Sequence, residues 1–459
     1  MTTLPRWSAL SSSRAAAKLP PGPKGLPFFG EVFKPRGDAI GYLSRIAREY
    51  GDIVFVRFLG VPMCLINRPE YIESVLTTQS LNFEKSKDYR ALRRVLGAGL
   101  LTSEGELWRR QRRLIQPAFY HERVSDYAEV MVKYTERMLA SWQDGQMRDV
   151  HADMMRLTLD IVAKTLFGTE VSREAEDVGA SLHLLMRRFM KQAGYAFLLP
   201  SRIPLPTTLR IRRAVRRLNQ VIYEIIRSRR ASGRRSGDLL SMLLDAHDEE
   251  GAVMTDRQLQ DEIMTLFLAG HETTATALSW TWLLLAQNPA VETALAEELQ
   301  RVLGGRAPQV ADLPRLSYAE MVLKEAMRLY PPVWVIGRRA LAPFQLGEYQ
   351  LPARTNVLML QYLMHRDARY FPEPERFDPE RWRENDPRNA SLPRFAYFPF
   401  GGGPRVCVGA GFGMMETMLL LAAIAQRFKL SLVPNQTIEM LPSVTLRPKN
   451  GIRVTLARR

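Results

Sequence analysis

The sequence predicts a mainly α-helical protein with a small β-rich lobe, and three observations support this fold class. From about residue 105 to residue 288 the pattern of apolar residues is predominantly helical. Short runs near residues 52–66 and 452–456 instead have the composition of strands. The 459 residues contain no Gly/Ser linker, low-complexity tract or internal repeat, and 46% of them are hydrophobic. We therefore expect residues 19–459 to fold as a single domain.

The N-terminal segment, residues 1–18, is expected to be flexible. It contains Pro5, three consecutive serines and Arg14, and it lacks the run of roughly 18–20 apolar residues that a membrane span requires. It also lacks the continuous apolar stretch of a signal peptide. Because no acidic residue precedes Glu31, a transit peptide remains an alternative. The interpretation that we favour is a protein without a membrane anchor.

The chain has two cysteines, Cys64 and Cys407. Cys64 lies in an apolar run that is typical of a strand, and we expect it to be a small core residue. Two cysteines do not make a disulfide scaffold, and a disulfide would consume the cysteine that we consider below as a ligand. These observations predict a reducing, cytoplasmic location.

The strands and helices can be placed in order along the chain. Residues 52–60 and 63–66 predict two short strands joined at Gly60. A long helix is predicted to begin at Thr255, with Gln258 completing a capping box, and to end at Asn288 before a proline. About 32 residues at a rise of ~1.5 Å would span roughly 48 Å, enough to cross a large domain.

Two further elements are predicted in the C-terminal half. A second helix should include residues 317–329 and end before Pro331 and Pro332. Residues 452–456 alternate between apolar and polar side chains and predict a final strand.

The most informative segment is residues 400–409, which read F-G-G-G-P-R-V-C-V-G. It places Cys407 in a glycine-rich loop before an apolar, helix-like run at residues 414–425, and glycines let a backbone approach a flat, bulky partner closely. A thiolate is favoured near the start of a helix by the dipole and by free N–H groups, and Arg405 could neutralise a nearby anion. This combination suits a sulfur ligand to a haem whose propionates need a cationic partner. A buried structural cysteine beside a turn is the alternative.

A second informative segment lies inside the long helix, where residues 269–274 read A-G-H-E-T-T. Glycine and two threonines weaken or bend a helix, because threonine hydroxyls can bond back to earlier carbonyls. Ala269 and Thr273 are four residues apart and share a helical face. Taken alone, these residues could equally be structural, and we expect His271 to face elsewhere in a structural role.

These segments together resemble the cytochrome P450 superfamily, the haem-thiolate monooxygenases. Residues 19–23, L-P-P-G-P, resemble the proline hinge that follows the membrane anchor in eukaryotic members. Here we expect the hinge without an anchor, which implies the soluble, bacterial-type form. Residues 400–409 match the haem-binding signature, aromatic-x-x-Gly-x-Arg-x-Cys-x-Gly. The residues at its fixed positions are Phe400, Gly403, Arg405, Cys407 and Gly409. The resemblance implies the cytochrome P450 fold and haem b (iron protoporphyrin IX), with Cys407 as the axial thiolate and the metal ligand.

The resemblance also gives the helix motif a use, because Ala/Gly-Gly-x-Asp/Glu-Thr is the oxygen-activation motif of this family. Ala269 would lie beside the haem, Thr273 would hydrogen-bond dioxygen and steady a water, and Glu272 would relay protons from solvent. This acid–threonine pair favours a monooxygenase supplied with electrons over an enzyme driven by peroxide.

Further residues that could hold the haem propionates follow from the resemblance. Trp108 and Arg112 match the family pattern Trp-x-x-x-Arg, and an arginine can bind a carboxylate through two hydrogen bonds. Arg338 is another candidate, although the adjacent Arg339 leaves the assignment open by one residue.

Three other residues match family patterns for which we expect only a structural role. Glu325 and Arg328 match Glu-x-x-Arg on one helical face. Arg376, in the segment 374–377, is expected to complete a buried charge network with them.

The formal net charge of +16 and the sequence pI near 10.0 favour encounter with anionic partners. Arginines cluster at residues 109–113 and 210–217, where they could be solvated or could dock an acidic donor. The resemblance implies an electron donor such as a ferredoxin or flavodoxin-like protein with its reductase. A nucleic-acid-binding protein is the alternative, but the clusters lack interleaved aromatics and match no nucleic-acid motif.

Substrate contacts can be proposed only as positions. The candidate linings are mainly apolar and predict a lipophilic substrate; they are residues 89–100, Phe267, Ala269, residues 333–336 and residues 441–444. Three arginines, Arg90, Arg93 and Arg94, could hold a carboxylate at the entrance or face solvent.

The function that we predict is a haem-thiolate monooxygenase that inserts one atom of dioxygen into a lipophilic small molecule, such as a fatty acid or terpenoid. The sequence shows no flavin or iron–sulfur module, so we expect separate redox proteins to supply the electrons. A peroxide-driven hydroxylase of the same fold and a non-catalytic haem-thiolate sensor are the alternatives.

Overall fold

The computed structural model describes residues 18–23, 38–58, 60–86, 89, 92–93, 96–120, 125–168, 206–233 and 237–459. The N-terminal segment that we expected to be flexible lies outside these residues except for Lys18. Within the described residues the protein is mainly helical, with strands in four small sheets. The predicted fold class is confirmed.

The α-helices of the described residues are numbered α1 to α13 in chain order. They are Ala39–Tyr50, Pro69–Glu73, Gly105–Ile115, Ala128–Leu139, Val150–Phe167, Pro206–Ser232, Leu239–Asp245, Asp256–Gln287, Pro289–Leu303, Ser317–Leu329, Gln361–Met364, Pro387–Ala390 and Ala410–Ala425. Among them, α8 is the long helix, and α13 is the helix that follows the cysteine loop.

The strands are numbered in the same way, β1 to β12. They are Ile53–Phe58, Val61–Ile66, Phe83–Lys85, Met147–Asp149, Ile336–Ala340, Phe344–Leu346, Tyr349–Leu351, Asn356–Met359, Phe428–Leu432, Met440–Pro442, Leu446–Pro448 and Arg453–Arg458. The two strands predicted near residues 52–66 and the final strand are therefore present.

The largest sheet of the described residues has five strands in the order β1-β2-β8-β5-β3. Strands β2 and β8 are parallel, and the other neighbours in this sheet are antiparallel. Cys64 lies in β2 opposite Phe55 and Val357 and is completely buried. Burial raises the pKa of its thiol above the ordinary range, so Cys64 is a core residue, as predicted.

Helix α8 forms the centre of the helical part, and its predicted caps are confirmed. The side-chain oxygen of Thr255 accepts the N–H of Gln258 at 3.3 Å, and the side chain of Gln258 accepts the N–H of Thr255 at 3.0 Å. The helix ends at Asn288, as predicted. It packs against α5, α6, α10 and α13, and nearly all of its side chains between residues 261 and 285 are buried.

Helix α10 carries a buried charge network, but one member differs from the prediction. Glu325 and Arg328 are fully buried and form two hydrogen bonds of 2.8 Å. The third charged member is Arg381, which binds Glu325 at 2.9 Å, and not Arg376. A turn at residues 373–376 directs Arg376 outward to Glu373, with 65% of its side chain exposed.

The correction has a simple geometric reason. The short 3₁₀ turn Pro379–Trp382 folds back over α10, so both Arg381 and the indole N–H of Trp382 reach Glu325. Arg376 contributes only its backbone carbonyl, which accepts a hydrogen bond from Arg328 at 3.1 Å.

In the part of the chain that the structure describes, no helix is both long and apolar enough to cross a lipid bilayer.

Candidate active site

The cysteine loop connects the turn around Phe398 to α13. The N–H of Cys407 donates to the carbonyl of Phe400 at 2.9 Å, and the N–H of Val406 donates to the carbonyl of Gly403 at 3.1 Å. Gly403 has a φ of +65°, and a Cβ there would lie 1.8 Å from the carbonyl oxygen of Leu76. Only glycine fits this position, so the sequence motif corresponds to a physical requirement of the loop.

Cys407 lies three residues before the start of α13, and it differs from Cys64 in having exposed surface. Burial among the surrounding atoms raises the pKa of its thiol, whereas the N–H of Gly409 and the positive charge of Arg112 lower that pKa. These two groups favour the thiolate, which is the form that ligates metals.

Helix α3 brings Trp108 and Arg112 to the same loop. Arg112 donates to the carbonyl of Val406 at 2.8 Å, next to the cysteine. The guanidinium of Arg405 lies over the indole ring of Trp108, 4.7 Å from its centroid. The structure therefore places both predicted residues at the cysteine loop, with Arg112 on the side of Cys407 and Trp108 against Arg405.

Three cations converge at the edge of this loop: Lys85 of β3, Arg338 of β5 and Arg405. Lys85 and Arg338 are buried, and each has its pKa lowered first by burial and also by the charge of Arg405. For Lys85 the pKa falls to about 7. Such mutual repulsion is unfavourable unless an anion shares the site.

Glu104 is the carboxylate that accompanies these cations. It accepts a hydrogen bond from Arg405 and the backbone N–H of Lys85. Partial burial opposes its ionisation, but these hydrogen bonds prevail and lower its pKa. One guanidinium nitrogen of Arg405, Nη1, is buried without a hydrogen-bond partner in the described residues. The site therefore retains unmatched positive charge.

The two arginines in β5 have different environments. Arg339 pairs with Glu84 at 3.0 Å. Arg338 points toward Lys85 and Arg405, and its side chain donates only to the carbonyl of Gly337 at 3.0 Å within the described residues. Arg338 is thus the member of the pair that belongs to the cationic group.

Between its two ends, helix α8 is open at one turn. Between residues 261 and 285 its described side chains are buried, except that Ala269, Gly270 and Thr273 keep exposed surface. The hydroxyl of Thr273 donates to the carbonyl of Ala269 at 2.6 Å, which is the back-bonding that the sequence predicts. Helix α13 packs against α8 at this level, where Glu416 approaches Thr274.

Glu272 is buried beside this open turn. Its carboxylate accepts the hydroxyl of Thr445 at 2.6 Å, in the loop between β10 and β11. His271 is buried next to it, and Nδ1 of its ring lies 3.0 Å from the carbonyl of Phe267. Burial lowers the pKa of His271, which agrees with the structural role expected for it.

Two of the expected substrate contacts are buried in the structure. Phe267 is 2% exposed and packs in the cluster around α8. Trp334 is buried, and its indole N–H donates to the carbonyl of Ser443 at 2.9 Å. Arg90 and Arg94 lie outside the described residues, and Arg93 is exposed.

The arginine cluster on α3 is largely engaged with acidic side chains. Arg109 pairs with Glu106, Arg110 with Asp248 and Arg113 with Glu249. The side chains of Arg109 and Arg113 remain 49% and 59% exposed, so these are weak surface ion pairs. The second cluster lies on α6, where most of its side chains are outside the described part.

Comparison with known proteins identifies the family of this chain. The family model for cytochrome P450 matches residues 20–456. The chain belongs to the cytochrome P450 family. Cyclooctatin synthase from Streptomyces melanosporofaciens is 39% identical over 428 residues, which cover 92% of each chain. Pentalenene oxygenase from Streptomyces avermitilis is 30% identical, with 95% of this chain and 97% of the relative covered.

A solved structure and a further sequence relative give the same result. A retinoic-acid-bound cyanobacterial P450 superposes with a TM-score of 0.87 at 27% identity and covers 97% of this P450. Another relative from Streptomyces melanosporofaciens, cyclooctat-9-en-7-ol 5-monooxygenase, is 35% identical over 91% of this chain and 90% of its own. The predicted family, fold and enzyme class are therefore confirmed, and the protein is a haem-thiolate monooxygenase.

Proteins of this family bind a haem through a cysteine thiolate, and the residues present here fit that group. A haem carries two propionates, and the cationic group around Arg405 has an orphaned buried N–H and more positive charge than Glu104 balances. A P450 also uses dioxygen, a lipophilic substrate and redox partners.

Three residues of this site were not identified from the sequence: Lys85, Glu104 and Thr445. Lys85 and Glu104 are 19 residues apart and meet only because β3 lies beside the start of α3. Thr445 is 173 residues from Glu272. None of the three carries a distinctive local signal in the sequence, because each reaches the site through a contact between distant segments.

Proposed function

We propose that Cys407 is the thiolate ligand of the haem, and that Lys85, Arg338 and Arg405 hold its propionates together with Trp108 and Arg112. The observation that carries this proposal is the convergence of three cations with one carboxylate beside an exposed cysteine. Phe400, Gly403 and Gly409 shape the loop that presents the sulfur. When bound, the haem supplies the redox chemistry that activates dioxygen, and the thiolate donates electron density to it.

The residues of α8 would manage protons at this site. Thr273 is exposed at the open turn. Its hydroxyl donates to the carbonyl of Ala269, and it could donate instead to a water or to dioxygen. Glu272 is one residue away and can exchange protons when its carboxylate leaves Thr445. This pair supports a monooxygenase that receives electrons and protons in steps, and a peroxide-driven hydroxylase is the second candidate.

The substrate that we propose is a cyclic terpenoid. The names of three relatives specify cyclooctatin, cyclooctat-9-en-7-ol and pentalenene, which by nomenclature include cyclic alkenes and an alcohol. The candidate linings of this chain are mainly apolar, and an apolar pocket with few polar groups suits such molecules. Fatty acids, for which Arg93 could bind a carboxylate, are the alternative substrate class.

The electron donor that we propose is a separate acidic protein, either a ferredoxin or a flavodoxin-like protein with its reductase. The exposed arginines of α3, Arg109 and Arg113, lie on the helix that also contacts the cysteine loop. Opposite charges would steer such a donor to this side. We also retain the cytoplasm as the predicted location.

The decisive experiment compares two cysteine variants. Cys407→Ser should remove the thiolate-type Soret spectrum of the ferrous carbon monoxide complex, because serine supplies no sulfur ligand. Cys64→Ala should keep that spectrum, since Cys64 is a core residue of the β-lobe. A thiolate-type spectrum in Cys407→Ser would refute the ligand assignment.

The substrate class is tested by titrating the ferric enzyme with terpenoids, fatty acids and steroids while the Soret band is followed. We expect cyclic terpenoids to produce a saturable shift from low spin to high spin. Saturable shifts with fatty acids alone would overturn the terpenoid proposal. Product formation that needs only peroxide and no reductase would favour the peroxide-driven alternative.

A further inference from the structure

A short turn at residues 97–100, which we call the glycine turn, lies directly on α8. The N–H of Ala98 donates to the carboxylate of Asp261 at 2.7 Å, and the N–H of Leu100 donates to the carboxylate of Glu262 at 2.8 Å. Two consecutive acidic residues of α8 thus bind two alternate amides of the turn. Such a hydrogen bond is stronger than a neutral one where the carboxylate is ionised.

The glycines of this turn allow a very close approach to the helix. Gly97 has a φ of +63°, and a Cβ there would lie 1.9 Å from a carboxylate oxygen of Asp261. A Cβ at Gly99 would lie 2.3 Å from the hydroxyl of Thr265 and 2.5 Å from the backbone carbonyl of Asp261. Any larger residue at position 99 would therefore lift the turn from α8.

Glu262 is an unusual residue to find at this contact. Its side chain is fully buried, and its second oxygen, Oε1, has no hydrogen-bond partner in the described residues. Burial raises the pKa of its carboxyl to about 8. Burying a carboxyl group is unfavourable, so the hydrogen bond to Leu100 offsets part of a local destabilisation.

The other side of the glycine turn faces the proposed haem edge. The amine of Lys85 donates to the carbonyls of Leu100 and Ser103 at 2.9 and 2.7 Å. Gln111 of α3 donates to the carbonyl of Ala98 at 2.8 Å. The turn is therefore held between α8, α3 and the lysine of the cationic group.

Apolar side chains of the turn and of the residue before it share a core cluster with the part of α8 that precedes the open turn. Leu96 and Leu100 are buried in the same cluster as Leu266 and Phe267, which precede Ala269 by one turn of the helix or less. A displacement of the turn would therefore move Leu96 and Leu100, and with them the carbonyl of Leu100 to which Lys85 donates.

We propose that Asp261 and Glu262 form a carboxylate clamp that fixes the glycine turn on α8, and that this clamp determines how large a ligand the site admits. The two acids are positioning residues, because they act through the turn and touch neither the cysteine loop nor the open turn of α8. The ligand-size part of this proposal rests on the proposed haem site. The proposal that the two acids fix the glycine turn on α8 does not depend on the haem site.

The first test measures amide hydrogen exchange of Ala98 and Leu100 in the full-length enzyme. Asp261→Ala and Glu262→Ala should each speed exchange at the amide that they bind by roughly tenfold, because the hydrogen bond that protects this amide is lost. Glu262→Gln should retain most of the protection, since the amide oxygen can still accept the same N–H. Gly99→Ala should speed exchange at both positions with the acids intact.

The matched control is Gln260→Ala on the same turn of α8. Its side chain donates to the carbonyl of Asn219 in α6 at 2.8 Å, away from the carboxyl groups that bind Ala98 and Leu100. Exchange at Ala98 and Leu100 should stay at the wild-type rate in this variant. Wild-type exchange in both Asp261→Ala and Glu262→Ala would overturn the clamp.

The second test uses azoles of two sizes that bind the ferric haem directly. The dissociation constant of imidazole should change less than about twofold in the clamp variants, whereas that of a bulky aryl-substituted imidazole should change at least about fivefold. Equal changes for both azoles would overturn the ligand-size role. If the wild-type enzyme showed no Soret band, the proposed haem site would fail, while the exchange results would still decide the clamp.

Discussion

Arg338 and Arg339 are adjacent residues of the same type, and the strand that contains them separates their roles. Successive side chains of a strand point to opposite faces, so Arg339 pairs with Glu84 while Arg338 lies within electrostatic range of Lys85 and Arg405. Sequence alone left this assignment open by one residue, because the register of a strand depends on its partners. Strand β5 pairs with β8 and β3, and neither pairing is visible in the local sequence.

This difference leads to a prediction about haem retention. Arg338→Met should lose haem to excess apomyoglobin roughly 10-fold faster than the wild type or more, since a charge-assisted bond to a carboxylate contributes about 1.5–3 kcal/mol. Arg339→Met removes the same charge but only the pair with Glu84, so it should keep the wild-type rate. Equal rates for the two variants would contradict the assignment of Arg338.

Thr273 allows a second prediction at the scale of one residue. Thr273→Ala should reduce productive turnover roughly tenfold or more and release more peroxide per electron, because a group that delivers protons is lost. The control is Thr281→Ala, which removes a similar back-bonded hydroxyl from a buried position of α8. Unchanged coupling of electron use to product in Thr273→Ala would count against the proposed role.

At the scale of elements, the buried network around Glu325 joins α10 to the turn Pro379–Trp382. Glu325 accepts hydrogen bonds from Arg328, Arg381 and Trp382, and all of these side chains are buried. Removing one partner of a buried charge is far more destabilising than removing a surface pair. The network therefore fixes the position of two elements that are more than 50 residues apart.

The prediction that follows compares two arginines. Arg381→Met should lower the free energy of unfolding by about 3 kcal/mol, because Glu325 stays buried with one cation fewer. Arg376→Met should lower it by about 1 kcal/mol or less, since Arg376 pairs with Glu373 at the surface. Chemical denaturation followed by circular dichroism measures both, and a larger loss in Arg376→Met would contradict the network described above.

Elements with local signals could be predicted from the sequence, and long-range contacts could not. The caps of α8 and the end of α10 follow from residues within one turn of each boundary. The arginine that completes the Glu325 network depends on how a loop folds back, and so the prediction of Arg376 was wrong. The cysteine loop could be predicted because its backbone requires glycine at fixed positions, such as Gly403, and these glycines are visible in the sequence. Lys85 and Thr445 could not be predicted, because they reach the site from distant strands and loops.

At the scale of the whole molecule, the formal charge of +16 is the dominant electrostatic property. Such a field accelerates encounter with acidic proteins at low ionic strength. The Debye length falls from about 10 Å at 0.1 M salt to about 3 Å at 1 M salt, so an effect of this kind must be sensitive to salt.

We therefore predict that reduction by an acidic ferredoxin slows at least roughly tenfold between low and high salt. Arg113→Glu should slow reduction at low salt more than Arg301→Glu, which makes the same change of charge on α9. Azole binding to the ferric enzyme serves as the control and should depend little on salt. Equal effects of the two charge reversals would show that net charge acts without a docking site on α3.

The pairing of distant strands has a consequence for how the chain is made. Strand β2 pairs with β8, which leaves the ribosome about 290 residues later, roughly 15–60 s at ordinary rates of synthesis. Strand β4 pairs with β12, and the interval between the synthesis of these two strands is slightly longer. During this interval β2 has β1 beside it on one side only, and β4 lacks β12. A nascent chain of this enzyme should therefore depend on chaperones until β8 and β12 have been synthesised.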